Sequence, residues 1–330
     1  MAQTTTFPLR PPIDRNALKR LRLALRKHSP SSGLGAHLHR RMGQSLEFRE
    51  YRDYTFGDDI RTVDWSASAR RGHKWDLVAK SFEAEERRTL VLILDCRLAM
   101  RLPEAVPKLL IATWIAGCLA EAAFAEKDRV VFAPAFAGRQ MRAPFTLHGL
   151  AGLSEFRGYV EGLLQSEPSA SEWNEIPNAG LAGLQKHLRP AAAVVMITDA
   201  LFADPGAEFS SIARLAQKSF RTFHVVEIDS WPYEKALLQE RPFRLKSMAG
   251  REFDDKLSDA TGDFLSSAKT QIEHRRSELR KSCAGPGLIW PRLSMQYPPS
   301  ASFDLAAAKT WFQNDFPTAP FLSNLLSRAA

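Results

Sequence analysis

Disulfides, secretion signals and membrane spans all lack their usual marks in this sequence. It holds only three cysteines, Cys96, Cys118 and Cys283, an odd count with no paired spacing. That argues against a disulfide framework and against a zinc site, and the simplest setting is reducing and cytosolic. The opening MAQTTTFPLRPPIDR has no apolar core of signal-peptide length. The longest apolar-rich run, Leu109–Ala125, contains Thr113, Gly117 and Glu121; it reads as an amphipathic core helix, too short to span a bilayer. No strand-like run is followed by a GxGxxG or Walker loop, which weakens a dinucleotide or NTP reading. No internal repeat is visible.

What is present is a globular composition with a basic leader. The 330 residues are 45% apolar and 25% charged, with a formal net charge of +8. Residues 1–41 hold nine of the 45 Lys/Arg but only one of the 37 acids, Asp14, so the remainder is close to neutral. Residues 1–12, with three prolines, read as a loose tail. Asp14 then caps a helix over Arg15–Lys27, with Leu18, Leu21 and Leu25 on one face and basic residues around it. Such a helix docks on its own domain or, in a second reading, on an anionic membrane surface, nucleic acid or a partner. Nucleic acid is the weaker target, because Arg10–Arg41 lacks interleaved aromatics. His28–Gly35 is a linker by composition.

From Thr89 onward, short apolar runs alternate with helical segments. The spacing predicts strands at Thr89–Asp95, Arg129–Phe136, Ala191–Asp199 and Thr222–Asp229. It predicts helices at Pro107–Glu126, Leu147–Gln165, Ile176–Leu188, Glu208–Phe220 and Asp263–Ser282. GPGLIWPRL starts a further strand, and Phe303–Phe312 and Ala319–Ser327 give short closing helices. This is the pattern of an α/β fold: a doubly wound, mostly parallel sheet covered on both faces. Ligands meet such sheets beyond the carboxyl ends of the strands, where strand order reverses. Asp95, Asp199 and Asp229 all stand at such ends. His187 and His224 lack a partnered Ser or Cys and read as core or surface residues.

Ahead of the sheet lies GQSLEFREYRDYTFGDDIRTVDWSASARRGHKWDLVAKSFEAEERRTLVLILD, Gly43–Asp95. Gly57 permits a turn with positive φ, and Asp58 or Asp59 can bond back to its amides. Three acids lie close to Arg61, with Arg52, Arg70 and Arg71 nearby. Interleaved opposite charges favour Arg–carboxylate pairs that fix a loop. A carboxylate cluster at Asp58, Asp59 and Asp64, serving a metal-dependent hydrolase, is the alternative. Trp65 reads as a packing anchor.

The ordered set Gly43, Glu47, Phe48, Arg52, Tyr54, Gly57, Asp58, Asp59, Arg61, Asp64, Trp65, Ser68, Ala69, Arg70, Phe82, Glu83 and Glu86 resembles the signature of the domain-of-unknown-function 58 family, DUF58. The resemblance implies a bacterial, von Willebrand factor type A-like domain with a metal-ion-dependent adhesion site. It also implies a partner, a MoxR-type AAA+ ATPase acting as a chaperone in assembling or activating other proteins. In the metal-binding version of that domain the first strand ends Asp-x-Ser-x-Ser. A loop threonine and an aspartate after a later strand complete an oxygen shell suited to Mg²⁺. Here Asp95 matches the first aspartate, Arg97 and Ala99 replace the serines, Asn178–Leu184 offers no threonine, and Asp199 matches the later aspartate. Two such carboxylates without a cation repel. Arg97 is expected to pair with Asp95, Asp199 or both as a permanently charged substitute for the ion, so that no metal and no cofactor is bound. In the opposing reading Arg97 points into water and Asp95 caps the next helix. Cys96 is expected to face away from Asp95 as a buried, inert thiol.

The expected organisation is therefore a basic tail, helix and linker (1–42), a signature segment packed on the sheet domain (43–88), the α/β domain (89–285) and a C-terminal extension (286–330). The expected function is a non-enzymatic protein-interaction module, cytoplasmic and peripheral at the inner membrane face if the leader binds lipid.

Overall fold

A computed structural model describes residues 7–14, 46–55, 60–71, 77–84, 89–166, 180–189, 192–204, 206–218, 221–240, 259–295, 304–319 and 322. The expected basic helix Arg15–Lys27, the linker His28–Gly35 and the signature residues Gly57, Asp58 and Asp59 lie outside them. Two compact units divide the chain: Ser32–Arg87, and Met1–Ser31 together with Arg88–Ala330.

In the smaller unit, β1 (Leu46–Asp53) runs antiparallel to β2 (Val78–Ala84), with a register break between Phe48 and Glu50. Helix α1 (Trp65–Arg70) starts on Asp64, whose carboxylate accepts from the Ala67 N–H at 3.0 Å. Asp64 also accepts from the Tyr51 hydroxyl (3.0 Å) and pairs with Lys80 (3.0 Å). The backbone bond from Ala67 and the bond from Lys80 hold the Asp64 carboxyl down at about 2. Buried Ser68 donates to the Asp64 carbonyl (2.7 Å) and accepts from the Val78 N–H (2.9 Å), which ties α1 to β2. Trp65 does not fill the expected anchoring role: it is 60% exposed, and among the described residues Val63, Val78 and Ala79 are the buried apolar ones here. The side chain of Asp64→Ala cannot cap the helix. Amide exchange at Ala67 is therefore expected to rise in that variant and to stay near wild type in Asp64→Asn.

The larger unit is built on one sheet. Its elements are β3 (Thr89–Asp95), α2 (Lys108–Ala125), β4 (Arg129–Ala135), β5 (Phe145–Leu147), α3 (Gly149–Gln165), β6 (Ala193–Thr198), α4 (Glu208–Ala216), β7 (Thr222–Asp229), α5 (Trp231–Glu240), α6 (Gly262–Ser282), β8 (Leu288–Ile289), β9 (Arg292–Ser294) and α7 (Leu305–Asp315). The strand order is β5-β4-β3-β6-β7-β8, and β9 also pairs with β7. All pairings are parallel except the edge strand β5, which runs antiparallel to β4. The sequence-based strands and most helices stand where expected, and β5 is an addition. Within the described part of Ile176–Leu188 the backbone forms only one 3-10 turn, Leu184–His187.

Side chains of β3 alternate between two apolar layers. Leu90, Leu92 and Leu94 pack with α2, α3 and α7; Val91 and Ile93 pack with α4 and α6. Burial on both faces is why these strands read as continuous apolar runs rather than alternating ones.

Two expectations are corrected here. Helix α2 is a core helix but not an amphipathic one. It is long and apolar enough to cross a membrane by length and composition, and it is buried nearly throughout because neighbours cover it on every side. The described part of the tail is not loose. Leu9 and Pro11 are buried, Trp114 of α2 donates to the Pro8 carbonyl at 2.7 Å, and Pro11 lies against Gly117, where a Cβ would meet its Cγ at 3.0 Å. The described residues of 286–330, the expected C-terminal extension, belong to the same compact unit as the sheet. Leu293 and Met295 join the layer on the α2 side of the sheet, and Phe312 packs edge-on against Trp114 (5.2 Å) and stacks on Phe316 (4.4 Å). Trp114→Phe removes the bond to Pro8 and leaves a half-buried carbonyl without that partner. It is expected to lower stability by about 1–2 kcal/mol in urea denaturation.

Candidate functional site

The order of strands puts the reversal point between β3 and β6. The chain leaves β3 toward β4 on one side and returns to place β6 on the other. Asp95 closes β3 and Asp199 follows β6, so the two acids flank the crevice that doubly wound sheets use for ligands. Both are buried, at 0% and 1% exposure.

Arg97 joins them. Its Nε donates to both Asp95 oxygens (3.0 and 3.1 Å), and its Nη2 donates to Asp95 Oδ2 (2.7 Å) and to Asp199 Oδ1. Nη1 donates to the Leu201 carbonyl (3.1 Å), and the Arg97 N–H donates to Asp95 Oδ1 (3.1 Å). The guanidinium lies 5.1 Å from the centre of the Phe202 ring. It does not point into water: only 11% of the side chain is exposed. Ala200, in the left-handed region at φ 57°, turns the chain just beyond Asp199. Leu201 then donates its N–H to Asp199 (3.0 Å) while its carbonyl receives Arg97. Ala99 sits half-buried in the 3-10 turn Leu98–Arg101 and contributes only backbone.

Sequence reasoning missed three further members. Lys108, in the first turn of α2, donates to Asp199 Oδ2 at 2.8 Å and lies 3.5 Å from Glu234 of α5. Thr198 donates its hydroxyl to Asp95 Oδ2 at 2.6 Å. Arg276 of α6 donates Nε to the Asp199 carbonyl (3.4 Å) and Nη1 to Asp229 (3.0 Å). It also lies 3.4 Å from Glu227, which Arg292 and Trp290 engage at 2.6 and 2.9 Å. One signal was available for Lys108: it is the only cation in an otherwise apolar helix.

The electrostatics follow from these pairings. Burial opposes the charge on Asp199, but Arg97 and Lys108 outweigh it and hold the carboxyl well below its usual range. Burial likewise opposes the charge on Lys108, and Asp199 with Glu234 more than offsets it, so Lys108 stays protonated. Every carboxylate oxygen at the site already accepts from a cation. A divalent ion would have to displace them. Among the described residues no three His, Cys, Asp or Glu side chains group to hold a metal. Cys96 faces the opposite layer, donates to the Leu94 carbonyl (3.3 Å), and is held protonated by burial.

In the small unit, Arg71 pairs with Asp53, and Asp64 is engaged as a helix cap and by Lys80. Arg61 and Arg70 are exposed. Such an Asp64 is poorly placed to serve as a hydrolytic carboxylate.

The architecture is that of a doubly wound, mostly parallel α/β domain with a salt-bridged carboxylate pair at its switch point. The family model "Protein of unknown function DUF58" matches residues 50–236, more than half of the chain, and the chain belongs to that family. Among solved structures, a conserved hypothetical protein, BatB, from Bacteroides thetaiotaomicron aligns over 73% of this chain and 98% of its own, at 15% identity and a TM-score of 0.34. A von Willebrand factor type A protein from Catenulispora acidiphila aligns over 76% of this chain at 12% identity and a TM-score of 0.32, and this chain spans 44% of its length. No curated protein matches the chain.

Proposed function

We propose that the chain is a non-enzymatic interaction module that docks a protein partner at the carboxyl edge of its sheet, around Asp95, Arg97, Ala99 and Asp199, without a divalent ion. One observation carries this reading: Arg97 bonds both carboxylates where a metal-bearing relative would hold its ion. In this reading the site is a degenerate adhesion site, and charge and shape replace coordination. In this reading, following what the family resemblance implies, the partner is a MoxR-type AAA+ ATPase, which the module helps in assembling or activating other proteins. The setting is cytoplasmic, and the basic stretch Arg10–Arg41 adds weak recruitment to the anionic inner face of the membrane.

The test is capture of a purified MoxR-type ATPase on the immobilised full chain. Capture is expected to be unchanged by EDTA and to fall as salt rises from about 50 to 500 mM. Capture that EDTA abolishes and Mg²⁺ restores would overturn the reading. A screen of phosphoester substrates with added Mn²⁺ is expected to give no turnover. Retention on anionic vesicles is expected to drop when Arg15, Lys19, Arg20, Arg22, Arg26 and Lys27 are replaced by glutamine, which leaves the packed residues 7–14 in place.

A further inference from the structure

We propose that Lys108 is a second built-in counter-ion at this site, and that with Arg97 it supplies, as fixed protein charge, the two positive charges that a divalent cation would otherwise bring to Asp95 and Asp199. The inference rests on the metal-free reading above and deepens it. Asp199 divides its oxygens between two cations: Oδ1 accepts from Arg97 and Oδ2 from Lys108 at 2.8 Å. Arg97 covers both oxygens of Asp95. Two buried negative charges are thus matched by two nearly buried positive ones, with side-chain exposures of 11% for Arg97 and 5% for Lys108.

The placement of Lys108 makes little sense otherwise. It stands in the first turn of α2, where the helix dipole disfavours a cation, and it is 4% exposed at the start of an apolar helix. Only its acids compensate, and Glu234 is the lesser of them at 3.5 Å, since its Oε1 also accepts from Ser230 at 2.7 Å. Removing Arg97 alone therefore leaves an ammonium seated on Asp199, and an incoming dication would be repelled by it. Removing Lys108 alone leaves the guanidinium on three of the four carboxylate oxygens. Only when both cations are gone do Asp95 and Asp199 present hard oxygen donors with no positive side chain on them, of the kind that Mg²⁺ and Mn²⁺ prefer.

Mn²⁺ titration of the full chain by calorimetry, with melting temperature as a second readout, tests this. Wild type, Arg97→Ser and Lys108→Met are expected to bind no Mn²⁺ below about 1 mM. Arg97→Ser/Lys108→Met is expected to bind one Mn²⁺ at about 1 mM or tighter and to recover melting temperature as it does so. An Arg97→Ser protein that binds as tightly as the double variant overturns the role of Lys108 and leaves the metal-free reading intact. Stoichiometric binding by wild type overturns that reading and this inference with it. A folded double variant that binds nothing also overturns the inference. Should the double variant not fold, Lys108→Met/Asp199→Asn is expected to regain most of the melting temperature lost in Lys108→Met, because it removes the charge that Lys108 balances. No regain overturns the proposal.

Discussion

Arg97→Leu is expected to lower folding stability by about 3–5 kcal/mol, the typical cost of removing one partner from a buried ion pair. The effect is large because the guanidinium is the shared partner of two carboxylates that are 0% and 1% exposed, and of the Leu201 carbonyl. Leucine fills part of the volume and bonds none of them. Arg97→Lys is expected to recover little, since one ammonium cannot reproduce a planar fork that reaches Asp95, Asp199 and Leu201 together. Lys235→Ala, at an exposed position on α5, is the control and is expected to stay within about 0.5 kcal/mol of wild type. Chemical denaturation at pH 7 measures all three. A loss under about 1 kcal/mol in Arg97→Leu would mean that Arg97 is a surface pair of little weight.

Acid is expected to weaken the protein in two separate steps, and the first belongs to His224. This residue lies in the middle of β7, fully buried, registered between Val195 and Ile289, with no hydrogen-bond partner for either ring nitrogen among the described residues. Burial alone pushes its pKa down from 6.5 to about 4. Between those values the unfolded chain binds the proton and the folded chain refuses it. Stability is therefore full above pH 6.5, falls as pH drops toward 4, and loses nothing more to this group below that. The interval corresponds to about 3 kcal/mol. Asp199 acts in the opposite ionisation but the same direction of pH. Its folded carboxyl is held below the ordinary range, so the stability it contributes is present above about pH 4 and is lost only below it. His224→Leu is expected to flatten the limb between pH 6.5 and 4 and to leave the lower limb in place. Urea midpoints between about pH 7.5 and 4 read the upper limb and midpoints below about pH 4 the lower one, and parallel slopes in variant and wild type over the upper limb would sink the assignment.

The strands β3, β6 and β7 were legible because burial on both faces imposes uninterrupted apolar runs, and the trailing acids Asp95 and Asp199 marked where the runs end. The pairing of Asp95 with Arg97 was within reach of the sequence, since residues two apart leave a strand in one direction, whereas Ala99 falls in the following 3-10 turn. What escaped were features fixed by distant parts of the chain. Lys108 meets its acids 91 and 126 residues away, and no local pattern announces such a pairing. Edge strand β5 has three residues, too few for any periodicity. The N-terminal stretch misled through its prolines, which mask an alternation of Phe7, Leu9, Pro11 and Ile13 that packs on the α2 side of the core. Trp65 misled in the opposite sense: a large ring suggests a core, yet this one stands outside.

The two flanks of the sheet carry a consequence for how copies of the chain meet. On one side stands β5, three residues long and antiparallel; on the other, Trp290 and Pro291 interrupt the chain between the two-residue β8 and the three-residue β9. Proline has no N–H to offer, and the Arg292 guanidinium, 42% exposed, adds charge beside it. A second polypeptide seeking a ribbon to zip onto finds no continuous ladder on either flank. Strand addition to this sheet is therefore disfavoured on both flanks, and its strand ends are the more accessible approach.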